Sequence, residues 1–541
     1  MHDLLIRGAR IVDGTGAPAV SGDVAVEDGV IGEVGRLGRP AARRVVAADG
    51  AVLAPGFIDL HTHSDFTLPQ FPRAAAMTRQ GVTTQVLGNC GFSPFPVTGP
   101  TAQLLRAYTG FLDGGLDWDW RTLDEYAQRL AALPLAGNVA LLVGHGSVRI
   151  AVMGFADRAP TDAELAAMRD LVAQAMRQGA FGLSSGLIYA PGSFTGTAEL
   201  AALAEVAARS GGFYASHLRN EGAGLLDATG EAIGVGRRAG AAVQLSHHKA
   251  MGRANWGKVR DSLALLERAN AAHDVLADQY PYMAASTTLL APLPGWALAG
   301  GVPALRSRLA DPAARERIAD DLARRERGEL RGDEGELDPA NVVIADVRPG
   351  LLERYRGRSL ADSARAEGTG ASEVVLRLVE GAPGDVPIVW HSMDEADVRT
   401  VLAHPLVAVA SDGWTVDPGL GGVPHPRSYG TFVRVLGRYV REQRVLSLEA
   451  AVRKMTSLPA FRLGLADRGT IAPGTAADLV VFDPDRVLDR ATYAQPHAFC
   501  DGVSHVVVNG RLVIDDGEDT TVAAGQVLRH PPPPDRRRLT T

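Results

Sequence analysis

Short apolar runs separated by turn residues mark both ends of the chain. Over residues 3–55 the runs Leu4-Leu5-Ile6, Val24-Ala25-Val26 and Val45-Val46 are punctuated by Asp13-Gly14, Asp28-Gly29 and Asp49-Gly50, the texture of small antiparallel strands. It returns in Gly469-Thr470-Ile471, Leu479-Val480-Val481-Phe482 and Val506-Val507-Val508-Asn509-Gly510. Residues 1–55 and 465–525 are therefore predicted to combine into one small β-sandwich. Between them, over 56–464, apolar runs of strand length end in polar residues and alternate with helical stretches such as 162–178 and 200–210. The predicted strands end near His63, Gly88, Gly144, Ser185, His217, His247, Gln279 and Asp412, and eight βα units close a barrel. The predicted class is α/β: a (β/α)8 TIM-like barrel with a β-sandwich built from both chain ends. Two further runs, 342–347 and 386–391, exceed that count and are assigned to an insertion or an extra strand. Residues 292–338, rich in Arg, Asp, Glu, Gly and Pro, read as an insertion, either a flap over the site or a solvated helical decoration. Residues 526–541, with Pro531-Pro532-Pro533-Pro534 followed by Arg536-Arg537-Arg538, read as an extended tail.

Length and charge narrow the partners. The 541 residues suffice for one large barrel and a smaller domain, and 55 basic against 62 acidic residues leave a formal charge of -7. That balance offers no basic stripe for phosphates, so the expected partner is a small-molecule substrate and not nucleic acid. Only Cys90 and Cys500 occur, which excludes a disulfide framework and fits a reducing, cytoplasmic setting. Neither a signal-peptide pattern at the start nor an apolar run long enough for a membrane is present in the sequence.

Potential chemistry gathers at the strand ends. The run from Val52 to Leu60 is apolar and ends in His61-Thr62-His63, where strand alternation puts both imidazoles on one face, suited to a zinc ion. Cys90 follows a second strand in Gly88-Asn89-Cys90-Gly91; alone it would read as a small buried hydrophobe, but its place at a strand end favours a ligand. Two more runs end in Ser216-His217 and Ser246-His247, one βα unit apart, so their imidazoles are expected side by side. His248 points to the opposite face if that strand continues. Asp412, in Ser411-Asp412-Gly413, is either an Asx-turn residue or a carboxylate that moves a proton beside a metal; the occupied neighbouring ends favour the second. Cys500 reads as structural.

Together these motifs resemble the amidohydrolase superfamily, and within it the N-acyl-D-amino-acid deacylase (D-aminoacylase) family. The resemblance covers nearly the whole chain, through Leu5 to Gly14, Pro55 to His63, Gly88 to Gly91, Ser216 to Gly222, Ser246 to Lys249, Tyr280-Pro281-Tyr282, Ser411 to Gly413, His425-Pro426-Arg427 and Gly469 to Val480. It implies that Cys90, His217 and His247 hold one tightly bound zinc ion, that His61 and His63 form a second, weaker position bridged by Cys90, and that Asp412 is catalytic. It also implies that Lys249, Tyr280, Ser286 and Arg427 contact the substrate. Many amidohydrolases bridge two metals with a carbamylated lysine on the fourth strand; here that strand, Ala180 to Gly186, has no lysine, which leaves the Cys90 thiolate as the bridging anion and argues against hydantoinase and dihydroorotase. The implied activity is hydrolysis of N-acyl-D-amino acids. The alternatives are hydrolysis of another N-acyl peptide or cyclic amide, or a non-catalytic scaffold on the same fold.

Overall fold

Eight short strands with almost wholly buried side chains form the centre of the protein, seen in a computed structural model that describes residues 1–530 apart from 39, 100, 111–114, 331–336, 348–349 and 351. In chain order they are β1 (Phe57–Asp59), β2 (Val82–Leu87), β3 (Asn138–Leu141, resumed at Val143–Gly144), β4 (Gly182–Gly186), β5 (Phe213–His217), β6 (Val243–Leu245), β7 (Val275–Gln279) and β8 (Val407–Val409). Neighbours pair in parallel from β1 to β3, and from Val143–Gly144 through β4, β5, β6 and β7 to β8. Parallel strands buried on both faces read as continuous apolar runs, which is why they were visible in the sequence. The circle closes between β8 and β1 without a regular ladder: the Asp412 amide donates to the His61 carbonyl (2.8 Å), the His63 amide to the Gly413 carbonyl (2.7 Å), and Thr62 bridges Gly413.

Helices cover the strands where apolar spacing and end signals coincide. Asp162–Arg177 begins at a capping box between Thr161 and Glu164 and buries Met168, Val172, Ala175 and Met176 on one stripe. Thr197–Arg209 likewise buries Leu200, Leu203, Ala204 and Ala207.

Both chain ends contribute to one nine-stranded sheet in which Val52–Pro55 lies between His2–Ile11 and Leu479–Phe482. The sheet curls over a core of Leu4, Ile6, Val24, Ile31, Leu53, Leu479 and Val507, while Val52, Ala54, Val480 and Phe482 pack with barrel residues such as Phe57 and Phe432.

Between β7 and β8 the chain builds a separate layer. Ala284–Thr288, Pro387–His391 and Val342–Ile344 form an antiparallel sheet with Pro387–His391 in the middle, so the two surplus apolar runs belong here. Helices Gly301–Ala310, Pro312–Glu326, Leu360–Glu367 and Ala371–Gly381 join it around Leu305, Ile318, Leu322, Val374, Leu378 and Trp390. The interruption therefore runs beyond the expected 292–338 on both sides. Its first strand, Ala-Ala-Ser-Thr-Thr, carries no apolar alternation that would announce it. At the C-terminus, residues 526–530 are not a free tail: Val139 donates to the Gln526 carbonyl (2.8 Å), Leu528 to Val139 (2.7 Å) and His530 to Gly179 (3.0 Å). The proline-rich stretch from Pro531 lies outside the described residues.

Candidate metal and catalytic site

The groups singled out in the sequence stand where the chain leaves β1, β2, β5, β6 and β8, at the carboxyl-terminal mouth that such barrels use for chemistry. Cys90 (φ 52°), His247 (φ 34°) and Asp412 (φ 51°) all have left-handed backbone, uncommon for residues with a Cβ and maintained only where surroundings enforce it. The restraints are visible. The Asp412 amide is held by His61 O, and the His247 amide donates to Asp278 Oδ1 at 2.7 Å. The Cys90 turn is pressed against glycines: a Cβ at Gly186 would lie 2.1 Å from the Cys90 carbonyl oxygen, and one at Gly88 2.2 Å from that of Leu142.

The side chains converge. His61 Nε2 lies 3.2 Å from Cys90 Sγ, and Cys90 Sγ lies 3.4 Å from His247 Nε2. Asp412 Oδ1 stands 3.4 Å from His61 Nε2 and 3.1 Å from His63 Nε2. Donor atoms of His61, Cys90, His247 and Asp412 all fall within 4.8 Å of one another, as do those of His217, Glu221 and His247. His247 thus belongs to both groups, and its ring centroid is 4.3 Å from that of His217. The set fits a zinc ion on three counts. Its donors are imidazole nitrogen, thiolate sulfur and carboxylate oxygen. Both ring nitrogens of His217 are buried without a hydrogen bond. Finally, His61 and His247 turn Nε2 toward Cys90 while Nδ1 faces a carboxylate, Asp278 Oδ1 at 3.2 Å and Glu221 Oε1 at 3.1 Å, the arrangement by which metal-ligating histidines are oriented.

Electrostatics agree with this reading. Burial would push the Cys90 thiol up, but the positive charge at His61 and His247 and the hydrogen bond with His247 draw it well below the usual thiol range. Burial opposes charge on His61, yet Cys90 and Asp278 pull it well above the usual imidazole range; His247 rises to about 9 despite burial and Lys249, through Cys90, Asp412 and Glu221. His217 is pushed down, chiefly by burial, and so stays neutral with a lone pair to donate. Binding of a cation here would displace protons from these groups.

Asp412 divides its two oxygens. Oδ1 faces the imidazoles, and Oδ2 accepts from Arg427 Nη1 at 2.6 Å. Burial raises its pKa, but the Arg427 charge, His247 and the His63 hydrogen bond outweigh that and hold it well below the usual carboxylate range. Arg427 also donates from Nη2 to the Ser286 carbonyl (3.3 Å), lies 4.9 Å over the Tyr280 ring, and keeps its Nε buried without a hydrogen bond. Lys249, Tyr280, Ser286 and Arg427 all border one cavity together with His63, Cys90, His217, His247 and Asp412. Lys249 is already engaged, donating to Glu221 Oε1 at 2.6 Å. His248 turns away, its Nε2 2.7 Å from Ser262 Oγ, and burial lowers it to about 4. Cys500 lies elsewhere, its Sγ 3.1 Å from the Arg79 carbonyl.

Three acidic residues escaped the sequence reading. Glu221, four residues after His217, joins His217, His247 and Lys249; burial raises its pKa, but Lys249 and the two histidines hold it well below the carboxylate range. Asp278, near the end of β7, supports the His61 ring and the His247 amide and accepts from Gln244 Nε2 at 2.8 Å. Asp59 Oδ1 accepts from the Ser411 amide (2.9 Å) and the His61 amide (3.3 Å), and burial raises it to about 7. The His-x-x-x-Glu spacing and an acid at a strand end were the available signals. A Glu221→Gln change is expected to weaken metal retention by roughly 10–100-fold, as loss of an outer carboxylate does; competition against a chelator measures it, and unchanged retention would show that Glu221 does not orient the ligands.

Comparison with known proteins places these features in context. A profile of the amidohydrolase family matches residues 44–514. Three proteins from Alcaligenes xylosoxydans xylosoxydans are similar over 97% of this chain: an N-acyl-D-glutamate deacylase (39% identical, 96% of its length), a D-aminoacylase (37%, 97%) and an N-acyl-D-aspartate deacylase (37%, 95%). Among solved structures, N-acyl-D-glutamate deacylase from Bordetella bronchiseptica, complexed with zinc and a phosphonate mimic of the tetrahedral intermediate, superimposes with a TM-score of 0.82 at 38% identity, covering 98% of this chain and 99% of its own. A D-aminoacylase studied for its binuclear metal centre, with one-metal activation and second-metal attenuation, gives 0.83 at 35%, covering 98% and 100%.

Proposed function

Because the chain belongs to the amidohydrolase family, we propose that it hydrolyses the amide bond of N-acyl-D-amino acids, releasing a carboxylate and a free D-amino acid. The observation that carries this is the convergence of Cys90 with His61, His217 and His247 beside Asp412, on a barrel whose β4 has no lysine to carry a carbamate. Cys90, His217 and His247 would hold the tightly bound zinc, and His61 and His63 would offer a second, weaker position beside Cys90. When bound, zinc polarises the acyl oxygen and lowers the pKa of water toward about 7.

Asp412 Oδ1, facing the imidazoles, takes the proton of the attacking water as its oxygen bonds the acyl carbon. The same carboxyl then delivers that proton to the nitrogen as the carbon–nitrogen bond breaks. Arg427 holds Asp412 Oδ2, which fixes the carboxylate's orientation, and its remaining donors receive the α-carboxylate of the substrate. Tyr280 positions the guanidinium from beneath, Lys249 keeps Glu221 against the ligands, and Ser286 borders the carboxylate position. The D configuration follows from the activities named for the relatives. A reducing cytosol suits a site that depends on a free thiolate. Among the described residues no helix is long and apolar enough to cross a membrane.

Purified protein loaded with zinc is expected to release acetate from N-acetyl-D-methionine or N-acetyl-D-leucine and to leave the L-enantiomers intact. Equal turnover of both enantiomers, or turnover of hydantoin alone, would refute the proposal.

A further inference from the structure

Beside the metal cavity lies a second, partly open one, and Phe92 and Tyr189 belong to the walls of both. Its other walls include Phe155, Ile188, Leu298 and Leu305, and no lysine, arginine or histidine lines it among the described residues. The polar side-chain groups it offers are the hydroxyls of Tyr108, Tyr189 and Thr288. A hydroxyl can accept or donate a hydrogen bond but cannot offset the charge of a carboxylate taken out of water.

Resting on the deacylase reading above, we propose that this second cavity receives the side chain of the D-amino acid and selects large apolar side chains over acidic ones. Overall similarity does not decide the question, because relatives named for D-glutamate, for D-aspartate and as D-aminoacylase are 39%, 37% and 37% identical. The first strand of the inserted layer gives the geometry. Its Ser286 carbonyl holds Arg427, Thr287 Oγ1 lies 3.0 Å from Tyr189 Oη, and Thr288 lines the apolar cavity. Two residues along a strand span about 6.7 Å, so the carboxylate anchor and the apolar cavity are neighbouring subsites. In the substrate the α-carboxylate and the side chain branch from the same carbon, whereas the reacting carbonyl lies two bonds further on and the acyl chain begins beyond it. The group that reaches the apolar cavity from a carboxylate held by Arg427 is the side chain.

The test uses full-length, zinc-loaded protein and kcat/KM for the N-acetyl derivatives of D-alanine, D-leucine, D-phenylalanine, D-glutamate and D-aspartate. Leucine and phenylalanine are expected to exceed glutamate and aspartate by about 100-fold or more, because the acidic side chains would be desolvated without a partner. Ala107 is another wall residue of the cavity; Ala107→Phe narrows it, and the phenylalanine-to-alanine ratio of kcat/KM is expected to fall at least about tenfold. The ratio cancels any common loss from folding or metal content. Equal or better turnover of the acidic substrates overturns this assignment alone. So does an Ala107→Phe protein that keeps its phenylalanine-to-alanine ratio but loses a preference for longer acyl groups in an acetyl, butanoyl and hexanoyl series on D-leucine, since the cavity would then be the acyl subsite. Failure to hydrolyse any N-acyl-D-amino acid overturns the deacylase reading and this assignment with it.

Discussion

An Asp412→Asn protein is expected to lose turnover by about 1000-fold, within the range of roughly 100–10,000-fold that a positioned proton carrier contributes, while retaining most of its zinc. The amide preserves shape and tolerates the left-handed backbone at this position better than most side chains. It still accepts from Arg427, but through one oxygen only, and has no carboxylate left to take the water's proton. Steady-state kinetics beside zinc analysis separate chemistry from metal loss. Turnover within tenfold of the parent would assign the proton transfer to another group in the cavity, Glu221 being the remaining buried carboxylate there.

Cys90→Ala is expected to act the other way round, through the metal. Cys90 Sγ is the atom that both His61 and His247 face, and it carries the anionic charge that a carbamylated β4 lysine would otherwise supply. Its removal leaves imidazoles crowded together with no thiolate among them. Zinc retained after dialysis should fall by more than the roughly 10–100-fold cost of losing an outer partner, and activity should fall with it. Normal zinc content with normal activity would remove Cys90 from the site.

The parts of the molecule that could be read from the sequence are those in which one segment carries its own signal. His61 with His63, Ser216-His217 and Ser246-His247 each close an apolar run, so residue type and strand position agreed before any contact was known. Asp278 and Glu221 behave differently. Asp278 acts on a ring from β1 and an amide after β6, and Glu221 on a histidine and a lysine from the next unit, so their roles exist only once the strands are side by side. The same holds for the second cavity, whose walls come from segments as distant as Phe92, Phe155, Ile188 and Leu305 and share no local pattern. The inserted layer was seen in its two apolar strands and missed in its third, because Ala284–Thr288 is recognised as a strand through its pairing with Pro387–His391 and not through its side chains. The fold class needed only periodicity; the supporting charges needed three dimensions.

The β8–β1 seam has a consequence for how this barrel breathes. The amides that close it belong to His63 and Asp412, and the carbonyls that receive them to Gly413 and His61, so the backbone that shuts the cylinder is the backbone that carries the donors. Parting the seam and scattering the donors are then one motion, and a bound cation acts as a clasp on the least regularly laddered junction of the wall. Its binding energy is delivered to local opening there, so amide exchange at His63 and Asp412 becomes a direct gauge of occupancy.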